Sequence, residues 1–188
     1  MSLLQRLFGG QDREAAPLPY APDSPEGLAA RWVRWAASSS RLSNPISDTS
    51  GKHAAVHQPD DVWFLAGTFG GTAHRRCAVP SGVPIFFPVI NMWEWPATGP
   101  ASQLSHPVAA LVVDGVPAEL VEINTPVPFE VAGAAGNPIT RSRKPIPTAV
   151  WGLWRKLEAL PEGSHTIRFE GGDGHRFKVA VAYEILVS

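Results

Sequence analysis

The sequence is poor in cysteine, in long apolar runs and in excess charge of either sign. Cys77 is the one cysteine in 188 residues, which excludes an internal disulfide and a cysteine-based metal cluster and favours a reducing compartment. No apolar run approaches the roughly eighteen residues that span a membrane. Gln5 and Arg6 interrupt the first ten residues, MSLLQRLFGG, which therefore lack the apolar core of a secretory signal. We expect a cytoplasmic protein.

The charge balance and the proline content exclude further classes. The chain carries 16 Lys and Arg against 17 Asp and Glu, a formal net charge of −1. It has no global field to attract nucleic acid or anionic lipid, so we expect no nucleic-acid partner and at most weak, peripheral membrane contact. Its 19 prolines and 17 glycines are too many for a helical bundle, because both residues interrupt helices. The composition indicates one domain built from many short segments.

No motif in the sequence identifies a reaction. There is no Gly-x-Ser-x-Gly nucleophile elbow and no HExxH zinc motif. The glycine-rich stretches 67–71 and 171–174 lack the Lys and Ser/Thr of a phosphate loop. We therefore predict no catalytic residue and no cofactor.

Short apolar runs bounded by glycine and proline predict a β fold. The most informative run, 61–91, resembles two strands joined by a polar turn, a central hairpin. A second hairpin is expected around the turn Asp114-Gly115, whereas the segment 149–157 suits a helix turn and an edge strand equally. Further strands are expected at 108–113, 118–124, 129–132, 165–169 and 177–186. Seven or eight strands without interleaved helices predict an all-β, antiparallel β-sandwich of the jelly-roll or immunoglobulin-like type.

One amphipathic helix is predicted at the start of the domain. Ser24 is a suitable N-cap and Pro25 a suitable first helical residue, so residues 25–38 should be helical. Trp32 and Trp35 fall on one face of that helix, which we expect to pack on the β core.

The first 24 residues are predicted to lie outside the domain at 25–188, as an apolar peptide followed by a proline-rich linker. The candidate partner-binding residues have helical spacing and are Leu3, Leu4, Leu7 and Phe8. A helix of two turns is not stable alone in water, so a functional peptide must dock on a partner protein, a membrane surface or the protein's own core. We expect a protein partner, which makes the chain a non-catalytic binding or assembly module.

The alternative function is a carbohydrate-binding or carbohydrate-active domain. Its candidate ligand-binding residues are Asn91, Trp93, Glu94 and Trp95. A carboxylate between two indoles is typical of sugar sites, because indole faces stack on a pyranose while the carboxylate accepts its hydroxyls or acts as an acid. The competing interpretation is that both indoles close one end of the sandwich and Glu94 points to water. A glycosidase also needs a second carboxylate, which the sequence does not identify.

A metal-dependent enzyme is the third hypothesis. His53 and His57 stand four residues apart with Asp48 nearby, and these are metal-ligating residue types. The two imidazoles would share a face only in a helix, which Pro59 and the preceding turn-forming residues disfavour. We therefore predict no metal site as the main interpretation.

Positive charge clusters at two places. Arg75 and Arg76 precede Cys77 and would favour its thiolate, although a strand position favours a small buried residue instead. The second group forms either a solvated surface or a site for an anionic partner and comprises Arg141, Arg143, Lys144, Arg155 and Lys156.

Four motifs occur together in the first half of the chain. They are NPxxDxxG at 44–51, VWFLAGTFGG at 62–71, RCxVPxG at 76–82 and FFPVIN at 86–91. With LPxGxHTI at 160–167, this combination resembles a group of uncharacterised bacterial and archaeal proteins. The resemblance covers about residues 28–188; it implies a shared fold and no catalytic residue.

Overall fold

A computed structural model describes residues 15–188, where the chain forms one α-helix and ten β-strands. In chain order the elements are α1 (Pro25–Ala37), β1 (Trp63–Phe64), β2 (Gly71–Val79), β3 (Ile85–Glu94), β4 (Val108–Val113), β5 (Val116–Pro117), β6 (Val121–Asn124), β7 (Phe129–Val131), β8 (Ile146–Leu157), β9 (Gly163–Gly172) and β10 (Lys178–Val187). No helix in this part of the chain is long and apolar enough to cross a membrane.

The strands form two sheets, and the predicted all-β sandwich with a single helix is confirmed. Sheet A has the order β1-β3-β8-β6, with β7 also paired to β8, and sheet B has the order β2-β10-β9-β4-β5. The sequence predicted purely antiparallel strands, but the pairing is mixed. β1 lies parallel to β3, and β2 lies parallel to β10. One apolar core fills the space between the sheets, and a second lies between sheet A and the helix.

The predicted hairpin at 61–91 does not form. β2 pairs with β10 in sheet B, whereas β3 pairs with β8 in sheet A. The burial of the two strands explains the separation, because Ile85–Ile90 is buried without interruption while β2 alternates between buried and exposed positions. A strand buried on both faces needs a layer on each side, and sheet A lies between the helix and sheet B.

The second predicted hairpin forms in part. β4 turns at Asp114-Gly115 into the short strand β5, as the turn signal predicts. The strand expected at 118–124 does not pair with β4, because β6 pairs with β8 in sheet A. β9 and β10 form a long antiparallel hairpin that extends the strands expected at 165–169 and 177–186.

The ambiguous segment 149–157 belongs to β8, a strand inside sheet A with β3 on one side and β6 on the other. It is neither helical nor an edge strand. Trp151 and Trp154 lie on opposite faces of this strand and enter different apolar clusters, so both indoles are buried. A spacing of three separates side chains across a strand, whereas it would keep them together on a helix.

The helix follows its sequence signals and ends one residue earlier than expected. Ser24 caps it, with its Oγ accepting from Gly27 N at 3.1 Å. Trp32 meets Trp154 of β8 edge-to-face, with ring centroids 5.6 Å apart. Trp35 packs against Phe64 of β1 at the same centroid distance. The helix therefore covers the face of sheet A that is turned away from sheet B.

Residues 15–24 are part of the folded domain and do not form the free linker that the prolines predicted. Ala16 N donates to Glu130 Oε2 at 2.9 Å, and Arg34 Nη2 donates to Ala16 O at 2.6 Å. Tyr20 receives a hydrogen bond at 2.8 Å from the backbone N of Val127. Proline favours an extended chain, and here that extended chain lies against the helix and the segment around β7.

Candidate functional site

A cavity of about 300 Å³ opens along the free edge of β3. β1 pairs only with Ile85 and Phe86, so in the described part of the chain no strand covers β3 beyond this point. The cavity is lined by residues 88–93 of β3, by residues 67–69 of the loop between β1 and β2 and by side chains from α1 and β10. It therefore lies where the helix layer, sheet A and sheet B meet.

A bulge in β3 decides which side chains reach this cavity. The register with β8 shifts between Pro88 and Ile90, so that Pro88 lies opposite Trp154 and Asn91 lies opposite Gly152. An extra residue in a strand reverses the alternation of the side chains that follow it. Asn91 and Trp93 therefore share the helix-facing side with Pro88, a position that residues 90 and 92 would take in a regular strand.

Aromatic side chains form the walls of the cavity. Trp93 meets Phe69 edge-to-face, with ring centroids 6.2 Å apart, and packs against the core beneath the helix. Phe177 and Trp32 contribute two further rings. Phe69 is 42% exposed and Met92 39% exposed, so both mark the open side.

Asn91 brings a polar group into this apolar setting. Its Nδ2 atom is buried and has no hydrogen-bond partner among the described residues, and the same is true of Trp154 Nε1. Both side chains lie beside Gly152: a Cβ atom at that position would be 2.7 Å from Asn91 Cβ and 2.6 Å from Trp154 Nε1. Glycine is needed here to leave room for the two polar side chains.

The other two predicted ligand residues lie away from the cavity. Glu94 follows on the opposite face of β3, where its Oε1 accepts from Ser102 N at 2.9 Å. Hydrogen bonds from Ser102 lower the pKa of the Glu94 carboxyl. Trp95 does not line the cavity and is 38% exposed. The structure thus brings Asn91 and Trp93 together and does not place two indoles around one carboxylate.

Arg75 holds together the loops on the far side of the cavity. In the sequence it was considered only as a neighbour of Cys77. This arginine is 2% exposed. Its guanidinium donates to Asp48 O at 2.7 Å and to Gly67 O at 2.9 Å, and it also donates to Ala66 O. Its Nη1 is 2.7 Å from the buried Tyr183 hydroxyl. The inward-facing alternation of β2, in which every second residue from 73 to 79 points to the core, was the available signal.

The NPxxDxxG segment is a structural loop beside this arginine. Asn44 Nδ2 donates to Ala36 O at the helix end at 2.6 Å, and its Oδ1 accepts from Ile46 N at 3.0 Å. Asp48 accepts from the backbone N of Ser50 at 2.8 Å, which forms an Asx turn. The loop thereby delivers Ile46 to the cavity wall.

The histidines of the metal hypothesis do not form a site. His57 has a φ of 52°, which is left-handed and not helical, and the backbone N of His53 is used in a hydrogen bond to Asp48. Within residues 15–188, no group of three or more His, Cys, Asp or Glu side chains could hold a metal ion.

The structure supports neither an activated thiolate at Cys77 nor one continuous anion-binding patch in the second basic group. Burial raises the pKa of the Cys77 thiol to about 11 despite the opposing charge of Arg75, which agrees with the small buried residue that the strand position favoured and not with an activated thiolate. Lys144 precedes the first residue of β8 and Arg155 lies near its last, so roughly 30 Å of strand separates them at the usual strand rise. The five basic residues therefore do not form one patch.

The candidate partner-binding residues Leu3, Leu4, Leu7 and Phe8 lie outside the described residues, so their docking stays a prediction. No family model, no curated protein and no solved structure matches the chain. The resemblance drawn from the five sequence motifs likewise stays a prediction.

Proposed function

We propose that the protein is a non-catalytic binding module that holds a small, largely apolar molecule in the cavity at the edge of β3. The observation that carries this proposal is the cavity itself, about 300 Å³ in volume and lined by Trp93, Phe69 and Phe177. Small-molecule sites are concave and mostly apolar, with a few polar groups that orient the ligand. Thr68 and Asn91 supply such groups here.

The chemistry of the lining favours binding over catalysis. No charged side chain among the described residues lines the cavity. General acid–base and nucleophilic catalysis need an ionisable or activated group within reach of the substrate. The lining offers an amide, a hydroxyl and indole rings, which can bind and orient a ligand.

Two further proposals come from the sequence. A protein partner docked on the N-terminal peptide is compatible with a ligand-binding domain, and the single cysteine supports a cytoplasmic location. The carbohydrate alternative has less support, because Glu94 and Trp95 lie apart from Trp93 and the cavity.

Ethylbenzene is a suitable first probe, because it is a small apolar molecule without a polar group. We expect saturable binding to the wild-type protein when the titration is measured by ligand-observed NMR. Trp93→Ala should weaken it about tenfold or more, since the side chain loses most of its contact area. Trp95→Ala is the matched control and should leave binding unchanged, because Trp95 does not line the cavity. Absence of saturable binding to the wild-type protein would overturn the proposal, as would equal losses in the two variants.

A further inference from the structure

Two buried N–H donors beside Gly152 lack acceptors among the described residues, and one of them belongs to Asn91, which lines the cavity. They are Asn91 Nδ2 and Trp154 Nε1, and the Trp154 side chain is fully buried. A buried N–H group without a partner costs free energy comparable to a lost hydrogen bond. Two such donors beside one glycine therefore call for an acceptor, which the Asn91 amide can supply when it is turned over.

The two side chains are adjacent. Asn91 lies directly opposite Gly152 on the neighbouring strand, and Trp154 follows Gly152 by two residues on the same face of β8. Both approach within 2.7 Å of the point where a Gly152 side chain would begin. The missing side chain of Gly152 leaves room for Asn91 Cβ and the Trp154 indole N–H on either side of this point.

The chemistry of an indole fixes the orientation of the amide. Trp154 Nε1–H can donate a hydrogen bond and cannot accept one, whereas the Asn91 amide has a carbonyl oxygen and an NH₂ group of nearly the same shape. With the amide oxygen turned toward the indole, the Trp154 donor gains an acceptor. The Asn91 NH₂ group then takes the place of the amide oxygen, which is not among the buried unpartnered atoms, and becomes a donor on a residue that lines the cavity.

We propose that the ligand of this cavity is a neutral molecule with a carbonyl oxygen, such as an aryl ketone, ester or amide, and that this oxygen accepts a hydrogen bond from the Asn91 NH₂ group. Trp154 is the positioning residue that orients the amide. This inference rests on the proposed function above. A neutral carbonyl fits better than a carboxylate, because no cationic side chain among the described residues lines the cavity and an unpaired buried charge is strongly disfavoured.

Acetophenone and ethylbenzene test the inference as a pair, since they have nearly the same shape and differ by a carbonyl oxygen in place of a methylene. The informative quantity is the ratio of their two dissociation constants. If a substitution distorts the cavity, it weakens both probes alike, so the ratio reports the carbonyl contact alone. We expect Asn91→Leu to shift this ratio against acetophenone by about tenfold, the effect of one lost hydrogen bond. Trp154→Phe should shift it in the same direction, because the amide loses its orienting partner.

The wild-type protein gives a second readout that does not depend on the folding of a variant. In ¹H–¹⁵N spectra, acetophenone should move the side-chain NH₂ signals of Asn91 while ethylbenzene moves them much less. If ethylbenzene binds but the ratio is the same in wild type and Asn91→Leu, or the Asn91 signals do not distinguish the probes, the carbonyl inference is overturned and the apolar site stands. Binding of neither probe overturns both.

Discussion

Arg75 is the residue on which the loops beside the cavity converge. Its guanidinium donates to carbonyl oxygens from two loops and lies against the ring of Tyr183, with its centre 5.4 Å from the ring centroid. An arginine suits this position because its planar fork presents several donors in fixed directions, whereas a lysine offers one compact ammonium. The shape of the cavity wall at Ile46 and Gly67 therefore depends on a side chain that does not itself line the cavity.

Replacing Arg75 by lysine should destabilise the protein by about 2–4 kcal/mol, because buried carbonyls lose their donors. The matched control is Arg76→Lys at the next position, where the side chain is 82% exposed and pairs with Glu184 on the surface. That control should change the free energy of unfolding by less than about 0.5 kcal/mol. Urea denaturation measures both, and equal effects would show that Arg75 does not hold the loops.

The residues of the candidate site were only partly predictable from the sequence. Asn91 and Trp93 were singled out as part of the run that ends in Trp95, because a carboxylate between two indoles is typical of sugar sites. Glu94 and Trp95 were grouped with them wrongly, since sequence proximity does not reveal which face each side chain takes after a bulge. Arg75 was missed because a charged residue in a strand is assigned to the solvent side by default.

At the scale of elements, the loop at 44–51 depends on one glycine. Gly51 has a φ of +94°, and a Cβ atom there would lie 2.2 Å from Arg76 O. The loop approaches the edge of β2 this closely because Arg76 N donates to Ser50 O at 3.0 Å. Only a residue without a side chain permits both the left-handed backbone and the contact.

Gly51→Ala should therefore destabilise the protein by about 3 kcal/mol, the sum of backbone strain and a backbone clash. Gly82→Ala is the control, since Gly82 also has a positive φ, of +78°, but has no atom within 4 Å of the added carbon. We expect about 1 kcal/mol there, from backbone strain alone. Thermal unfolding compares the two, and an equal loss would contradict the close approach of the loop.

The turn between β4 and β5 is attached to β9 through a histidine. His165 Nδ1 lies 2.7 Å from Asp114 Oδ2 and Nε2 lies 2.9 Å from Pro161 O. Both partners only accept, so both ring nitrogens must donate, which requires the imidazolium. The hydrogen bond to Asp114 raises the pKa of His165. For Asp114, burial acts in the opposite direction, but the bonds from His165 and Thr166 lower its pKa overall.

This attachment should be pH-dependent. The raised His165 pKa stabilises the fold fully below the ordinary value of 6.5, and this stabilisation is lost as the pH rises through the folded-state value. The lowered Asp114 pKa stabilises the fold above 3.8 and is lost as the pH falls. The stability difference between wild type and His165→Gln should be about 1 kcal/mol or less at pH 5.5 and smaller at pH 8.5. Urea denaturation at both pH values measures it, and a difference that grows with pH would contradict the ion pair.

The elements also show how far the sequence determines this fold. The helix at 25–37, the turn at Asp114-Gly115 and the hairpin of β9 and β10 follow local signals that act within a few residues. The division of β2 and β3 between two sheets, and the parallel pairing of β2 with β10, depend on contacts distant in sequence. Those contacts depend on which strands must be buried on both faces. A pattern of a few neighbouring residues therefore does not predict them.

At the scale of the whole molecule, the first described residues and the peptide before them should behave differently. Removing residues 1–10 should leave the melting temperature unchanged. Removing residues 1–24 should lower it by several degrees, because the contacts of Ala16 and Tyr20 with the domain are lost. Thermal unfolding of the two truncated proteins tests this, and equal melting temperatures would show that residues 15–24 contribute nothing to stability.

The shorter truncation also tests the predicted partner site. Affinity recovery from native lysate with the full chain and with the version lacking residues 1–10 should show a partner that depends on Leu3, Leu4, Leu7 and Phe8. Equal recovery with both proteins would end the docking prediction without affecting the cavity.

The central claim is that the cavity at the free edge of β3 is the ligand site, and intermolecular NOEs test it most directly. Isotope-labelled protein with unlabelled ethylbenzene should show NOEs from the ligand to Trp93, Phe69 and Phe177, which line the cavity together. NOEs confined to another surface, such as the shallow apolar pocket between Leu28 and Val121, would contradict the account, as would the absence of any ligand NOE at a saturating concentration.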